Sequence, residues 1–301
     1  MKCIIAFKNG LLRSLKAWKI LVISWFIYLL MVSVLVLPLR TMVNKALAGS
    51  AVTERLAGGI DSDLLTDLFF NSPGITSGFV SGVFFLIVAG FLVNAFITGG
   101  VFSAVRKDGK MNSPGDFFSS ASHLFWKFLG LTLIITLIII FSFLFLVILP
   151  VGLVSNASGA PDKAGVLSSL LFGGIFIIII GILLLVADYS RAALASGRKS
   201  FFGSLGFGFS ETFRHFFPSI SLMLIMLLIQ AAYTLPVLWF TGIWRPATSG
   251  GSLLLLVVTQ LLFSLKLLIK MVRYASITSL MEINSDVQQS VDQEQISVPV
   301  L

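Results

Sequence analysis

Residues Phe128–Leu149 read FLGLTLIITLIIIFSFLFLVIL, 22 consecutive positions without a charged side chain. A hydrocarbon layer of roughly 30 Å takes about 20 helical residues to cross, so this stretch alone is long enough to span a bilayer. Periodicity does not exclude a strand for a short apolar run. At this length, with no turn residues at strand spacing, the run predicts a helix that closes its backbone hydrogen bonds within itself. Five further runs accompany it: Ile20–Leu37, Phe79–Ala104, Val166–Ala187, Ser219–Phe240 and Ser252–Val272. Overall, 57% apolar residues, 11% charged residues and a mean hydropathy of +1.01 exceed what a water-soluble domain buries. The predicted fold is all-α: a polytopic helical bundle of six transmembrane helices over residues 1–281, with interfacial amphipathic helices. The remainder, 282–301 (EINSDVQQSVDQEQISVPVL), is polar, acidic and poor in aromatics, and reads as a disordered cytoplasmic tail.

The gaps between the runs set an orientation. Sixteen of the 21 lysines and arginines fall before the first run, in the second and fourth gaps and at the end of the last run. The opposite gaps hold only Arg40, Lys45, Arg55, Lys163 and Arg245. Short loops rich in Lys and Arg stay on the inner side, so both termini are expected in the cytoplasm of a bacterial inner-membrane protein. The net charge of +8 then reflects topology and attraction to anionic headgroups. Nucleic acid is not an expected partner, because its binding calls for a basic folded domain.

A basic stretch before an apolar run, with Ala46-Leu47-Ala48 beyond it, imitates a secretory signal. The basic segment is long, however, and Arg40 and Lys45 separate the run from the cleavage-like site, so a retained first span is expected. Cys3 is the single cysteine, which excludes an intramolecular disulfide and leaves palmitoylation near the membrane as a weak option.

The inner connectors resemble one another. In AFKNGLLRSLKAWK, Ala6–Lys19, the residues Phe7, Leu11, Leu15 and Trp18 recur at intervals of three or four with basic residues elsewhere, the pattern of an interfacial amphipathic helix. Gly109–Leu131 (GKMNSPGDFFSSASHLFWKFLGL) and Gly197–Ser219 (GRKSFFGSLGFGFSETFRHFFPS) lead into the third and fifth spans in the same style. Shifting one onto the other by 88 residues pairs Gly109 with Gly197, Lys110 with Arg198, Phe125 with Phe213 and Phe128 with Phe216. Two readings stand: three helical-hairpin repeats, or the general gathering of aromatic and basic residues where spans meet headgroups. Among the outer connectors only the first, 40–77, is long enough for structure of its own. Asp61 and Asp63 suit a helix start there, and Leu64, Leu65, Leu68 and Phe69 form an apolar face. Asp61, Asp63 and Asp67 lack the spacing and closing Glu of a calcium loop.

Material for catalysis is scarce. His123 and His215 hold similar places before the third and fifth spans and read as interfacial polar residues, together with Trp126, Lys127 and Arg214. Glu211 and His215 would meet on a helix at i, i+4, but no third ligand or nucleophile accompanies them. No nucleophile elbow, zinc-helix motif, phosphate loop or dinucleotide fingerprint occurs, so no catalytic, cofactor or metal site is assigned and no enzyme is expected. Asn94, Gln230 and Gln260 lie near the middles of spans, where interhelical hydrogen bonding accounts for polar groups. Lys266 can snorkel toward Lys270 and Arg273. Asp188 and Arg191, at i, i+3 in VADYSRAAL, are expected to pair. Gly78 and Gly82, with Gly90, Gly99 and Gly100, suggest close helix packing.

The run ITGGVFSAVRKDGK leading into FFSSASHLFWKFLGL, and its echo ADYSRAALASGRKS leading into FSETFRHFFPS, resemble a group of uncharacterised bacterial six-span membrane proteins. That group is similar to the membrane domain fused to some glycerophosphodiester phosphodiesterases. The resemblance implies a returning span, a short basic loop and an aromatic-basic helix entering the next span. The resemblance lies in the membrane domain, so no catalytic residue of a phosphodiesterase is expected to carry over. The expected function is a non-enzymatic scaffold or accessory subunit that meets anionic lipid headgroups, and a partner membrane protein, on its cytoplasmic face. The alternative is a small transporter or permease subunit.

Overall fold

The structure is a computed structural model. It describes the backbone of residues 2–47, 73–106, 113–157, 161–197, 199–244 and 248–297. Side chains are described over 2–34, 77, 80–106, 113–154, 165–197, 199–244, 248 and 250–285. Among the described residues all regular structure is helical. The helices are α1 (Lys2–Lys16), α2 (Trp18–Leu47), α3 (Pro73–Ala104), α4 (Pro114–Phe143), α5 (Leu149–Ala157), α6 (Pro161–Ala195), α7 (Phe201–Arg214), α8 (Phe216–Ile243) and α9 (Ser249–Ser297). A π-helical segment, Leu144–Ile148, joins α4 to α5.

Five helical stretches are long and apolar enough to cross a membrane: Val80–Ala104, Pro114–Val154, Gly165–Ala195, Phe216–Ile243 and Gly250–Ser285. The bent pair α1 and α2 makes a sixth if counted as one span. Large apolar side chains cover their outer faces, among them Phe84, Ile87, Leu170, Ile177, Leu228 and Leu261. Such a surface is stable only in lipid, where association of helices rests on close packing and interhelical hydrogen bonds. The chain is an all-α bundle of membrane-spanning helices.

Three boundaries differ from the sequence reading. The aromatic connector before the third span is no separate interfacial helix: α4 begins at Pro114 and runs unbroken through Phe128. Its start carries a capping box, with Ser113 Oγ accepting from the Asp116 N–H at 3.3 Å and the Asp116 carboxylate accepting from the Ser113 N–H at 3.0 Å. The connector before the fifth span does form its own helix, α7, which stops at Arg214. Pro218 explains the difference, because it has no N–H for the Arg214 carbonyl and its ring crowds that oxygen. Leu131 stands as far beyond Ala121 as Pro218 does beyond Gly208, and it lets α4 continue. The third boundary is the tail: α9 runs on to Ser297, into the stretch that the sequence reading begins at residue 282. Glu282 and Asn284 are held by partners on α1 and α7, which fixes the first turn of the extension. The expected helix at 61–74 falls mostly outside the described residues. Pro73 instead opens α3, a position where a missing N–H costs nothing.

The helices divide into two compact units, Ile23–Asn94 and the combination of Met1–Val22 with Ala95–Leu301. Within the first, the Tyr28 hydroxyl donates to Asn94 Oδ1 at 3.4 Å. Within the second, the basic ends of the spans are covered in series. Helix α4 lies on the end of α3, with Phe102 against Phe128 at 5.9 Å between ring centroids and Gly100 against the Phe117 ring. Helix α7 lies on α6, where Gly208 meets Ser190 and the Val186 carbonyl. Helix α1 lies on α9, where Gly10 meets Ser276. Ala6, Gly10 and Ser14 of α1 repeat, in buried face and spacing, as Ser204, Gly208 and Thr212 of α7. Phe117 and Ala121 of α4 follow the same face, in a register one residue shorter than the sequence match.

Candidate functional site: the basic collar and its cleft

Polar side chains are buried mainly at the basic end of this second unit. Asp188 on α6 is 1% exposed, with Arg191 on the same helix at 7%. Arg191 Nη1 donates to Asp188 Oδ1 at 3.1 Å, the pairing expected from their spacing, and its Nη2 donates to Thr132 Oγ1 of α4 at 3.2 Å. A second guanidinium joins them from α9: Arg273 Nε lies 3.0 Å from Asp188 Oδ2, and Nη2 donates to Oδ1 at 3.4 Å. One carboxylate thus holds two arginines, and α4, α6 and α9 are tied through it. Tyr274, next in the chain, stacks on Phe102 of α3 at 4.6 Å.

Further links surround this centre. Arg13 of α1 pairs with Glu282 of α9 at 2.7 Å and donates to the Val105 carbonyl beyond α3 at 3.3 Å. The buried Glu211 of α7 accepts from Asn284 Nδ2 at 3.2 Å, and His215 Nε2 stands 3.7 Å from the same carboxylate. Tyr189 and Ser219 share a buried hydrogen bond of 2.7 Å between α6 and α8. Arg106 Nη1 donates to the Ala195 carbonyl at 3.1 Å, joining the ends of α3 and α6. Apolar packing fills the space between: Ala6, Leu185, Tyr189, Leu222, Ile277 and Leu280 form one cluster, with Cys3 and Phe7 against it.

The residues singled out from sequence fall into three groups. Asp188, Arg191 and His215 belong to the collar. The mid-span amides differ: Asn94 accepts from Tyr28 across two helices, Gln230 donates from Nε2 to Thr234 Oγ1 at 3.2 Å within its own helix, and Gln260 is engaged as well. Lys266 is exposed on α9, as snorkelling requires. Gly99 and Gly100 pack against α4, but Gly90 faces open space, and the surroundings of Gly78 lie outside the described residues. The expected residues Arg40, Lys45, Arg55, Lys107, Lys110, Lys163, Arg198 and Arg245 also lie outside the described side chains.

Of the third group, His123 and Lys127 line a cleft, and Trp126 precedes Lys127 on the same helix. This space of about 460 Å³ opens between the end of α3, the first turns of α4 and the end of α6. Its polar wall is Ser103 and Arg106 from α3 and its exit, facing Asp116, Ser119, Ser120, His123 and Lys127 from α4. The α4 residues recur every three or four positions, so one helix face supplies them all. The end of α6, Leu194, Ala195 and Gly197, closes the third side; Gly197 has φ +70°, the left-handed turn that ends the helix. Trp126 stands beside the cleft on α4, 76% exposed. Arg214, also exposed, belongs to α7 and lies apart from the cleft lining.

Sequence reasoning missed the approach of Arg273 to Asp188, the role of Thr132, the pairing of Glu211 with Asn284, and the α3 half of the cleft. The capping box at Ser113 and Asp116 was readable, since Ser-Pro-Gly-Asp before an apolar run is a helix-start signature. The other pairings join residues 59 to 85 positions apart and leave no local signal. No family model, curated protein or solved structure matches the chain.

Proposed function

We propose that this membrane protein is a non-enzymatic scaffold or accessory subunit of a bacterial cytoplasmic membrane, working through its basic collar on the cytoplasmic side. The single observation that carries this reading is the network centred on Asp188. It ties three helices at one end of the unit, where alternating access would need groups of helices to rock against one another. A fixed collar suits the presentation of a constant surface to a partner. The resemblance to the phosphodiesterase-linked membrane domain enters on the same footing, as a proposed likeness in accessory role.

The orientation is testable first. Reporter fusions at Lys110, Lys199 and the C-terminus are expected to report cytoplasm, and fusions near Ala57 and Arg245 the outside; reversal at any site would redraw the spans.

A photo-reactive residue placed at Phe202 or Phe213, both exposed on α7, then tests the scaffold. One protein adduct of constant mass should form in native membranes from these positions and not from Leu254 on the span. Lipid adducts alone at all three positions would sink the proposal.

A second reading, a small transporter, draws on the π-helical segment Leu144–Ile148 and on Pro236 inside α8, two places where a span can bend. Solute flux in vesicles carrying the purified chain alone would favour it.

A further inference from the structure

The cleft between α3, α4 and α6 has a composition that the collar's structural role does not call for. Its walls carry two cations from different helices, Arg106 and Lys127, with an imidazole at His123 and serine hydroxyls at positions 119 and 120; the hydroxyl of Ser103 already donates to the Gly99 carbonyl at 3.1 Å. The only carboxylate among the described lining residues, Asp116, is turned to its own helix start, where it accepts from the Ser113 N–H. Among the described residues His123 and Lys127 have no hydrogen-bond or ion-pair partner, while Arg106 spends one N–H on Ala195 and has others to offer. Donors therefore outnumber acceptors around a space large enough for a small group.

We infer that this cleft binds a phosphate ester. Arginine offers a planar set of donors matched to phosphate oxygens, lysine a point charge, and Ser119 and Ser120 the neutral donors that complete the shell. The donors come from the exit of α3 and from one face of α4, with the end of α6 closing the third side, so the arrangement does not depend on a helix end alone. Trp126 places the cleft at headgroup depth, since exposed tryptophan concentrates where hydrocarbon meets water, and Phe128 begins the apolar run two positions on. Two sources share this chemistry: the phosphodiester of an anionic phospholipid and a soluble phosphate ester. The inference goes beyond the scaffold reading, because a collar could dock a protein without any phosphate site, and the photo-crosslinking result does not depend on it.

The test is a binding titration on full-length protein, stripped of lipid in a neutral detergent. The probes are short-chain phosphatidylglycerol, short-chain phosphatidylcholine and glycerol 3-phosphate. Saturable binding of phosphatidylglycerol is expected, weakened about tenfold or more by Lys127→Gln and by Arg106→Gln. Lys19→Gln, a basic residue outside the cleft, should leave it unchanged. Arg106→Gln also removes the bond to Ala195 and can loosen the fold, so the decisive variants are Lys127→Gln and His123→Gln, whose side chains hold nothing else among the described residues. If glycerol 3-phosphate binds as tightly and with the same sensitivity to these variants, the site stands and its source is the soluble ester. Equal affinity of wild type, Lys127→Gln and His123→Gln for both phosphate probes would overturn the inference. So would phosphatidylcholine binding as well as phosphatidylglycerol with no response to Lys127→Gln.

Discussion

Asp188→Asn is expected to cost about 3–5 kcal/mol, the loss typical of removing one partner from a buried charge network. The substitution keeps the size of the side chain and one acceptor oxygen, but it removes the charge and puts an amide donor where the second oxygen faced an arginine. Arg191 would then stay buried, 9% exposed over its side chain, with no compensating carboxylate. Arg273 is less affected, because its side chain is 32% exposed and can turn toward water. The two arginines are therefore expected to rank differently. Arg191→Ala leaves the buried aspartate with the partly exposed Arg273 alone and takes a donor from Thr132, whereas Arg273→Ala is nearer the effect of a surface pair, about 1 kcal/mol. Thermal unfolding followed by size-exclusion in detergent measures all three. An Asp188→Asn protein that unfolds at the wild-type temperature would show that the network adds no stability.

The second large effect concerns two glycines that allow helices to touch. A Cβ on Gly10 would meet backbone atoms of Ser276, its nitrogen at 2.5 Å and its Cα at 2.7 Å. A Cβ on Gly208 would meet the Val186 carbonyl at 2.6 Å, as well as the Ser190 hydroxyl. Backbone cannot swing aside as a flexible side chain can, so the helices themselves must separate. Gly10→Ala and Gly208→Ala are each expected to destabilise by about 1–3 kcal/mol, the range for overpacking. They lie on different helix pairs, α1 with α9 and α7 with α6, so their effects should add. Gly206→Ala is the control on the same helix as Gly208: nothing stands within 4 Å of its added methyl. There the intrinsic helix preference of alanine is expected to gain up to about 1 kcal/mol. Loss of stability at Gly206 as large as at Gly208 would mean that close approach is not what these glycines provide.

The sequence was informative about spans because a span is a local property. Phe128–Leu149 and the other apolar runs must each satisfy their own backbone in lipid, and nothing elsewhere in the chain can do it for them. Pro218 is equally local in action, and it ends α7 at a point where the two similar connectors part in structure. The Asp188–Arg191 pair was legible because i, i+3 neighbours share a helix face. Arg273 was not, since its approach to Asp188 depends on how α9 rotates and how deep it sits against α6. The same holds for Asn284, which reads in sequence as part of a disordered tail. Its turn is ordered by tertiary contacts: Asn284 on the buried Glu211 of α7, Glu282 on Arg13 of α1, and Ile283 against the apolar cluster.

From the sequence alone came the six apolar runs, the basic asymmetry between their gaps, and the residues of one wall of the cleft: His123 and Lys127 along a single helix. Tertiary structure decided which residues face them. Ser103 and Arg106 reach the cleft through the packing of α3 on α4, and Ala195 and Gly197 through the position of α6. The physical reason is one of range: hydrophobicity and helical periodicity act over one or two turns, while a pocket for an anion is made of donors whose separation is set by helix packing across long stretches of chain.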